Sequence, residues 1–209
     1  MATSVDSWQV TDIDELVGII GVPSERVATK VTPYLTPLLR QFVMASPYFL
    51  LATSNSDGSC DVTPRGDPPG ALLVLDDRTI AIPDRLGNRR IDSMRNILAN
   101  PQVGLLFLIP GTDETLRING HATITRDPDL LAQLAMQGRE PKVAIVVEID
   151  EAFTHCARSI LRSKLWEPSS WPDPDTIPTL AAMMAEQQHM PPPDESTGKR
   201  NEDYRKTLY

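Results

Sequence analysis

A polar loop that leads into a helix-like stretch holds Arg85, Asn88, Arg89 and Arg90 close together. Arginines at a helix start face the positive end of the helix dipole, which costs about 0.3–1 kcal/mol for each charge. Closely spaced cations also repel one another. An anion bound at the free N–H groups of the helix N-terminus would offset both effects, and phosphate fits such a site well. These residue types at this spacing therefore favour phosphate binding.

A simpler interpretation treats the same arginines as a solvated helix start, paired with Asp84 and Asp92. Exposed ion pairs of that kind contribute only about 0–1 kcal/mol each. The guanidinium group nonetheless suits phosphate, because its planar fork donates two hydrogen bonds and stays charged at working pH. From spacing alone, both interpretations remain open.

Two further arginines frame this loop. Arg65 ends a predicted strand, where it could be solvated, pair with Asp67, or bind the same anion. We expect Arg95 on the surface, because it lies off the predicted apolar face of the helix. That face comprises Ile91, Met94 and Leu98.

The chain as a whole is acidic. Its 209 residues, 41% hydrophobic and 23% charged, suffice for one good core, and the net charge is −8. Nucleic acid and anionic membranes bind preferentially to basic protein surfaces, so we expect neither as a partner of this acidic chain. The cluster of arginines stands out against this background and favours a small anion over a polyanion.

Other reactive side chains give weak signals. Cys60 and Cys156 lie far apart without metal-binding spacing, which predicts reduced thiols. We expect no nucleophilic pair from His155 and Cys156, because neighbours on a helix point in different directions. The scattered histidines predict no metal site, and we name no catalytic residue. The N-terminus lacks a signal-peptide pattern and no apolar run could span a bilayer, so we expect a cytoplasmic protein.

The order of the elements predicts how these residues are positioned. Segment 1–46 has helical spacing, with a start at Thr11, and segment 167–209 is a Pro-rich and helical extension with a polar tail. Between them, in 47–166, turn residues separate short apolar runs, which predicts a mainly β fold with flanking helices, a closed or partly closed barrel. We expect an unbroken apolar run at 143–149 to be buried on both faces, and a helix over 153–161. The predicted strands are 48–53, 60–65, 71–75, 79–82, 103–109, 115–125 and 143–149.

With these elements placed, the sequence resembles the pyridoxamine 5′-phosphate oxidase-like family, whose members are FMN-binding split β-barrels. The shared pieces are YFLLATSNSDGSCDVTPRGDPPG, IPDRLGNRR, NPQVGLLFLIPG and TLRINGHATI. The loop is most similar to that of small bacterial members with a PDR-x-GNRR sequence. The resemblance covers roughly residues 47–166.

The resemblance implies a homodimer with FMN at the subunit interface. The phosphate ligands it implies are Arg65, at a strand end, and the loop residues Arg85, Asn88, Arg89 and Arg90. Asp84 of the same loop is also implied as a cofactor-binding residue. Ile82 and Pro83 would lie beside the flavin ring, and Lys164 and Trp166 would come from the second subunit.

The implied activity is that of an FMN-dependent oxidoreductase acting on an unknown small substrate, in which the flavin supplies the chemistry. The loop reads GNRR where the vitamin B6 oxidases have Ser-x-Lys, and their late Arg-x-x-Pro signature is not evident. Synthesis of pyridoxal phosphate is therefore not implied. The alternatives are a non-catalytic protein that binds or senses FMN, haem or a deazaflavin, and a dimerisation protein with an empty site.

Overall fold

The computed structural model describes residues 8–191, 202 and 204–209. Contacts within the chain define two compact units, Met1–Val31 and Thr32–Tyr209. The first unit contains α1 (Ile13–Ile20) and α2 (Glu25–Ala28), neither of which has a buried residue. Helix α1 begins after Asp12, whose carboxylate accepts a hydrogen bond from the Asp14 N–H at 3.2 Å. The N-cap is therefore one residue later than the predicted Thr11.

One antiparallel sheet of seven strands forms the second unit, in the order β2-β1-β5-β6-β7-β4-β3. Among the described residues no ladder joins β2 to β3, so hydrogen bonds leave the sheet open at these two edges. The predicted mainly β fold with flanking helices, a split barrel, is confirmed. The strands are β1 (Tyr48–Ser54), β2 (Cys60–Gly66), β3 (Leu73–Val74), β4 (Thr79–Pro83), β5 (Gln102–Leu108), β6 (Thr115–Thr125) and β7 (Ala144–His155).

Five α-helices of the second unit that lie wholly among the described residues flank this sheet or follow it in the chain. They are α3 (Pro37–Ala45), α4 (Asp92–Ala99), α5 (Pro128–Gln133), α6 (Arg158–Ser163) and α7 (Leu180–Gln187). Helix α4 lies against β1, β2 and β6. The apolar core is built from inward-facing residues of β1, β4, β5, β6 and β7, with Phe49 stacked on Phe107 at 4.9 Å between ring centroids. In the described part of the chain, no helix has the length and apolarity to cross a membrane.

Strand β7 is longer than predicted, and the helix predicted over 153–161 is wrong in its first half. Pairing with β6 continues to His155, and helix α6 starts only at Arg158. The ladder shifts register at Asn119/Gly120, where a Cβ on Gly120 would overlap the main-chain oxygen of Glu148. A bulge of this kind is not visible in hydrophobic periodicity. The predicted two-sided burial holds at Ala144 and Ile145, which face opposite sides of the sheet, and fails at Glu148, which is exposed.

Candidate functional site

A cleft of about 1020 Å³ lies in the second unit, beside the ends of β2 and β4 and the start of α4. Its walls come from β2, from the loop between β4 and α4, and from segment 139–142. The lining includes every site residue that the sequence predicted between positions 65 and 90. These are Arg65, Ile82, Pro83, Asp84, Arg85, Asn88, Arg89 and Arg90.

Strand β2 directs a polar row of side chains to the inner side of the sheet. Asp61, Thr63 and Arg65 pair across from Thr53, Leu51 and Phe49, which are buried. Directly opposed residues of neighbouring strands share one face of a sheet. The core face of the sheet therefore becomes polar at β2, where Thr63 and Arg65 line the cleft.

Two ion pairs connect the end of β2 to the loop after β4, and the partners are crossed. Arg65 Nη1 lies 3.2 Å from Asp84 Oδ1, and Arg85 Nε lies 2.8 Å from Asp67 Oδ2. The sequence had left open a pair between Arg65 and its neighbour Asp67, and pairing of Asp84 with the loop arginines. Instead, each arginine binds the carboxylate of the other segment, which fixes β2 and the loop against each other.

Within the described part of the chain, both arginines retain a buried N–H donor without a partner. These donors are Arg65 Nε and Arg85 Nη2, while Arg85 Nη1 donates to the Leu134 carbonyl oxygen at 2.9 Å. A buried donor left unsatisfied costs about 1–3 kcal/mol. A bound molecule with acceptor oxygens would remove that cost, and both arginines line the cleft.

The loop before α4 adopts backbone conformations that are rare for its residue types. Arg89 has φ 62° and Ile91 has φ 54°. A β-branched residue in the left-handed region is an outlier, with a cost of about 1–3 kcal/mol, and such residues concentrate at ligand-binding sites. Among the described residues, no hydrogen bond or ion pair holds the Arg89 guanidinium, whereas Arg90 Nε donates to Asp92 Oδ2 at 2.8 Å.

Helix α4 begins at Asp92, so Arg89 and Arg90 stand in the loop and not in the first turn. Its N-cap is Ile91, which offers no side-chain acceptor to the first N–H groups. Asp92, Ser93 and Met94 line the cleft. An uncapped helix N-terminus is thus placed beside the arginines, where an anion is favoured.

The face of α4 that packs on the sheet is largely polar. The predicted face is wrong, because Ile91 and Leu98 are 49% and 79% exposed, whereas Asn96 is buried. Asn96 Nδ2 donates to Thr53 Oγ1 at 3.0 Å and to Asp61 Oδ2 at 2.8 Å. Hydrogen bonds of Asn96 therefore hold α4 in place together with Ile97, which is buried in the apolar core. Arg95 is exposed as predicted.

A second hydrogen bond sets the start of α4 against β2. The hydroxyl oxygens of Thr63 and Ser93 lie 3.2 Å apart, and both residues line the cleft. The cleft therefore has an α4 side, bounded by this contact. It also has an α5 side, where Arg85 binds Leu134, the residue that follows α5.

Tyr209 also lines the cleft, and sequence reasoning missed it. Its hydroxyl donates to Asp67 Oδ1 at 2.8 Å, and the Arg85 guanidinium carbon lies 5.6 Å from its ring centroid. Its main-chain oxygen accepts a hydrogen bond from Arg139. Burial first, and then the hydrogen bond and charge of Asp67, raise the pKa of the Tyr209 phenol. Nothing in the polar tail signals this contact.

The two predicted residues of the late sequence do not line this cleft. Trp166 Nε1 donates to the Thr112 carbonyl oxygen at 2.9 Å. Lys164 Nζ lies 3.9 Å from Glu167 Oε2 in an exposed pair. Both were expected to complete the site of a second subunit, and that role stays a prediction.

The lining carries more positive than negative charge, although the chain has a net charge of −8. Four acidic side chains, Asp67, Asp84, Asp92 and Glu140, line the cleft. Six cationic ones do so, namely Arg65, Arg85, Arg89, Arg90, Arg139 and Lys142. Neither histidine nor cysteine is among the described lining residues, and the described part of the chain holds no group of three potential metal ligands. The arrangement suits an anionic organic molecule.

Comparison with known proteins gives one family. The family model described as pyridoxamine 5′-phosphate oxidase matches residues 35–156, more than half of the chain. No curated protein matches the chain.

The solved structures that are similar to this chain are distant from it in sequence. A putative pyridoxamine 5′-phosphate oxidase from Lactobacillus delbrueckii is 22% identical over 58% of this chain and 95% of that chain, with a TM-score of 0.45. An FMN-binding protein from Syntrophomonas wolfei is 11% identical over 74% and 98%, with a TM-score of 0.43. The haem storage protein HutZ from Vibrio cholerae is 15% identical over 58% and 93%, with a TM-score of 0.40.

Proposed function

The chain belongs to the pyridoxamine 5′-phosphate oxidase family, and we propose that its cleft binds FMN non-covalently as an oxidoreductase cofactor. In this proposal the phosphate lies on the α4 side, at Arg65, Asn88, Arg89 and Arg90. The flavin ring lies beside Ile82 and Pro83, and a small organic substrate occupies the remaining space.

The unsatisfied donors beside an excess of positive charge are the observation that carries the proposal. Among the described residues, Arg65 has a buried N–H without a partner, and the Arg89 guanidinium has no hydrogen bond or ion pair. The start of α4 has no side-chain cap. All of them border one cleft. A phosphate group has enough acceptor oxygens to bind several such donors at once.

The size of the cleft also supports a cofactor together with a second molecule. Small-molecule sites in proteins usually have volumes of about 300–1,000 Å³. At about 1020 Å³, this cleft is at the upper end of that range. There is therefore space for a substrate beside a cofactor of the size of FMN.

The residues of the chain would bind and orient, while bound FMN would supply the redox chemistry. Arginine side chains neutralise the phosphate and fix its position, and the crossed ion pairs keep β2 and the loop in register. Ile82 is 2% exposed and Pro83 is buried, so the end of β4 offers a dry apolar wall. A flavin ring packed on this wall would exclude water from that side.

A partly exposed apolar row on the outer face of the sheet supports the proposed homodimer. Leu50 lies between Pro64 and Leu106 across the ladder, and its neighbour Ala52 lies between Val62 and Gly104. Val62 is 61% exposed. A second copy of the chain would bury this row. Lys164 and Trp166 are proposed to contact the partner's flavin in such a dimer.

The lining favours a flavin over haem. Haem iron takes histidine, cysteine, methionine or tyrosine as an axial ligand. The described lining holds neither histidine nor cysteine, and its Tyr209 hydroxyl is already bound to Asp67. The excess of arginines suits a phosphate-bearing flavin. A deazaflavin carries the same kind of acidic groups and fits the same arginines. The identity of a released chromophore decides between these cofactors.

The test is to purify the protein, record its visible absorption and identify any released chromophore by mass. Flavin absorption, or uptake of added FMN by colourless protein, is the expected result. Colourless protein that does not take up FMN would contradict the proposal. Anaerobic bleaching of the bound flavin by NADH or NADPH then supports an enzyme, whereas flavin that no such donor reduces supports a binding or sensing protein.

A further inference from the structure

Tyr209 is fixed in the cleft by contacts with three different segments of the fold. Its hydroxyl donates to Asp67 after β2, its ring lies against the guanidinium of Arg85, and its main-chain oxygen accepts from Arg139. The neighbouring Tyr204 and Leu208 are each 53% exposed, whereas Tyr209 is half-buried. The tyrosine is thus the anchored residue of its segment.

The ring of Tyr209 forms a wall of the cleft and leaves the space open. The volume of about 1020 Å³ is present with Tyr209 among the lining residues. That volume already accommodates a ligand of ordinary size. A molecule can therefore bind without displacing Tyr209 and would meet its ring.

The position of Tyr209 places this wall on the α5 side. Arg85 binds the carbonyl of Leu134, just after α5, and Arg139 lies in the segment that follows. The proposed phosphate site is on the α4 side, at Arg89 and Arg90. Because the phosphate and the ring system are at opposite ends of FMN, the ring system falls toward Tyr209.

We infer that Tyr209 is a ligand-contacting residue against which the planar ring of the bound flavin packs. The inference rests on the proposed function. Aromatic groups pack best on other planar rings, with about 0.5–1.5 kcal/mol beyond simple burial. Tyrosine is suited to this role because it offers a rigid surface with few rotatable bonds. The contacts with Asp67 and Arg85 hold that surface ready before the ligand arrives.

The experiment compares Tyr209→Ala and Tyr209→Phe with the matched control Tyr204→Phe, using FMN as the probe. Tyr209→Ala should weaken FMN binding about fivefold or more, the range expected for lost aromatic packing. Tyr209→Phe should retain most of the affinity, because the ring remains. Tyrosine in contact with a flavin quenches its fluorescence by donating an electron to the excited ring. Bound FMN should therefore be brighter in both Tyr209 variants than in the control.

Each other outcome has a defined meaning. If the unmodified protein binds no FMN, the proposed function and this inference both fail. If FMN binds and neither affinity nor fluorescence changes in Tyr209→Ala, the inference alone is overturned. Tighter binding in Tyr209→Ala would show that the tyrosine obstructs the cleft, which also overturns it.

Discussion

Arg85 pairs with Asp67, eighteen residues before it in the chain, and not with its neighbour Asp84: the Nε and Oδ2 atoms lie 2.8 Å apart. Both side chains are only 16% exposed. Asp67 also accepts the Tyr209 hydroxyl. This carboxylate therefore joins β2, the loop after β4 and the segment of Tyr209 at one point of the cleft.

Asp67→Asn should lower the free energy of unfolding by about 1–3 kcal/mol, because Arg85 keeps its charge in a half-buried place without a carboxylate. Urea denaturation followed by circular dichroism measures the change. Glu114→Gln is the control, because this substitution also removes one negative charge but at an exposed side chain. Equal stabilities of the two variants would show that the pair contributes nothing.

The double substitution Arg89→Ala with Arg90→Ala should weaken FMN binding more than about tenfold, above about 1.4 kcal/mol. The expected cause is loss of the phosphate ligands. Arg95→Ala is the matched control, because it removes an exposed arginine of the adjoining helix. Fluorescence titration with FMN gives both affinities. An unchanged affinity in the double variant would show that the FMN phosphate does not bind at this loop.

Docking of the Tyr209 segment should depend on pH. A raised pKa means that the docked state favours the protonated phenol. Docking is therefore complete below the ordinary tyrosine value of about 10 and is lost as pH rises through the higher pKa of the docked state. Tyrosinate absorbance should show one late-ionising tyrosine that disappears in Tyr209→Phe. If the late tyrosine ionisation is still present in Tyr209→Phe, the contact between Tyr209 and Asp67 is contradicted.

His121 should titrate above its ordinary value. The hydrogen bond to Asp150 is the main cause of its raised pKa, with contributions from the charge of Asp150 and from Glu148. The nearest His121 and Glu148 atoms, Nε2 and Oε2, lie 3.1 Å apart. Any stabilisation is present below the ordinary pKa and is lost as pH rises through the raised one. It should be small, because these side chains are exposed.

Proton NMR of the imidazole measures this directly. Asp150→Asn should lower the pKa of His121. A His121 pKa at or below the ordinary value of about 6.5 would contradict the geometry.

Local patterns predicted the strands and the arginine-bearing part of the cleft lining. Short apolar runs bounded by turn residues gave β1, β5 and β6 within about a residue, and the crowding of Arg89 and Arg90 identified the loop. Such features depend on neighbours in the chain, which a sequence displays.

Features that depend on distant parts of the chain were not predictable. The partner of Tyr209 is Asp67, 142 residues away. The extension of β7 depends on the bulge at Gly120, and the packing of α4 depends on a hydrogen bond from Asn96 to Asp61 on β2. Polar contacts across the fold leave no periodic trace, so hydrophobic patterning favoured the wrong face of α4.

Titration of the purified protein with FMN, after removal of any bound small molecule, tests the central claim most directly. We predict saturable binding with a shifted flavin absorption spectrum, and a clear loss of affinity in the Arg89→Ala and Arg90→Ala double variant. Absence of binding by folded protein would contradict the account, as would flavin binding that survives the loss of both arginines unchanged.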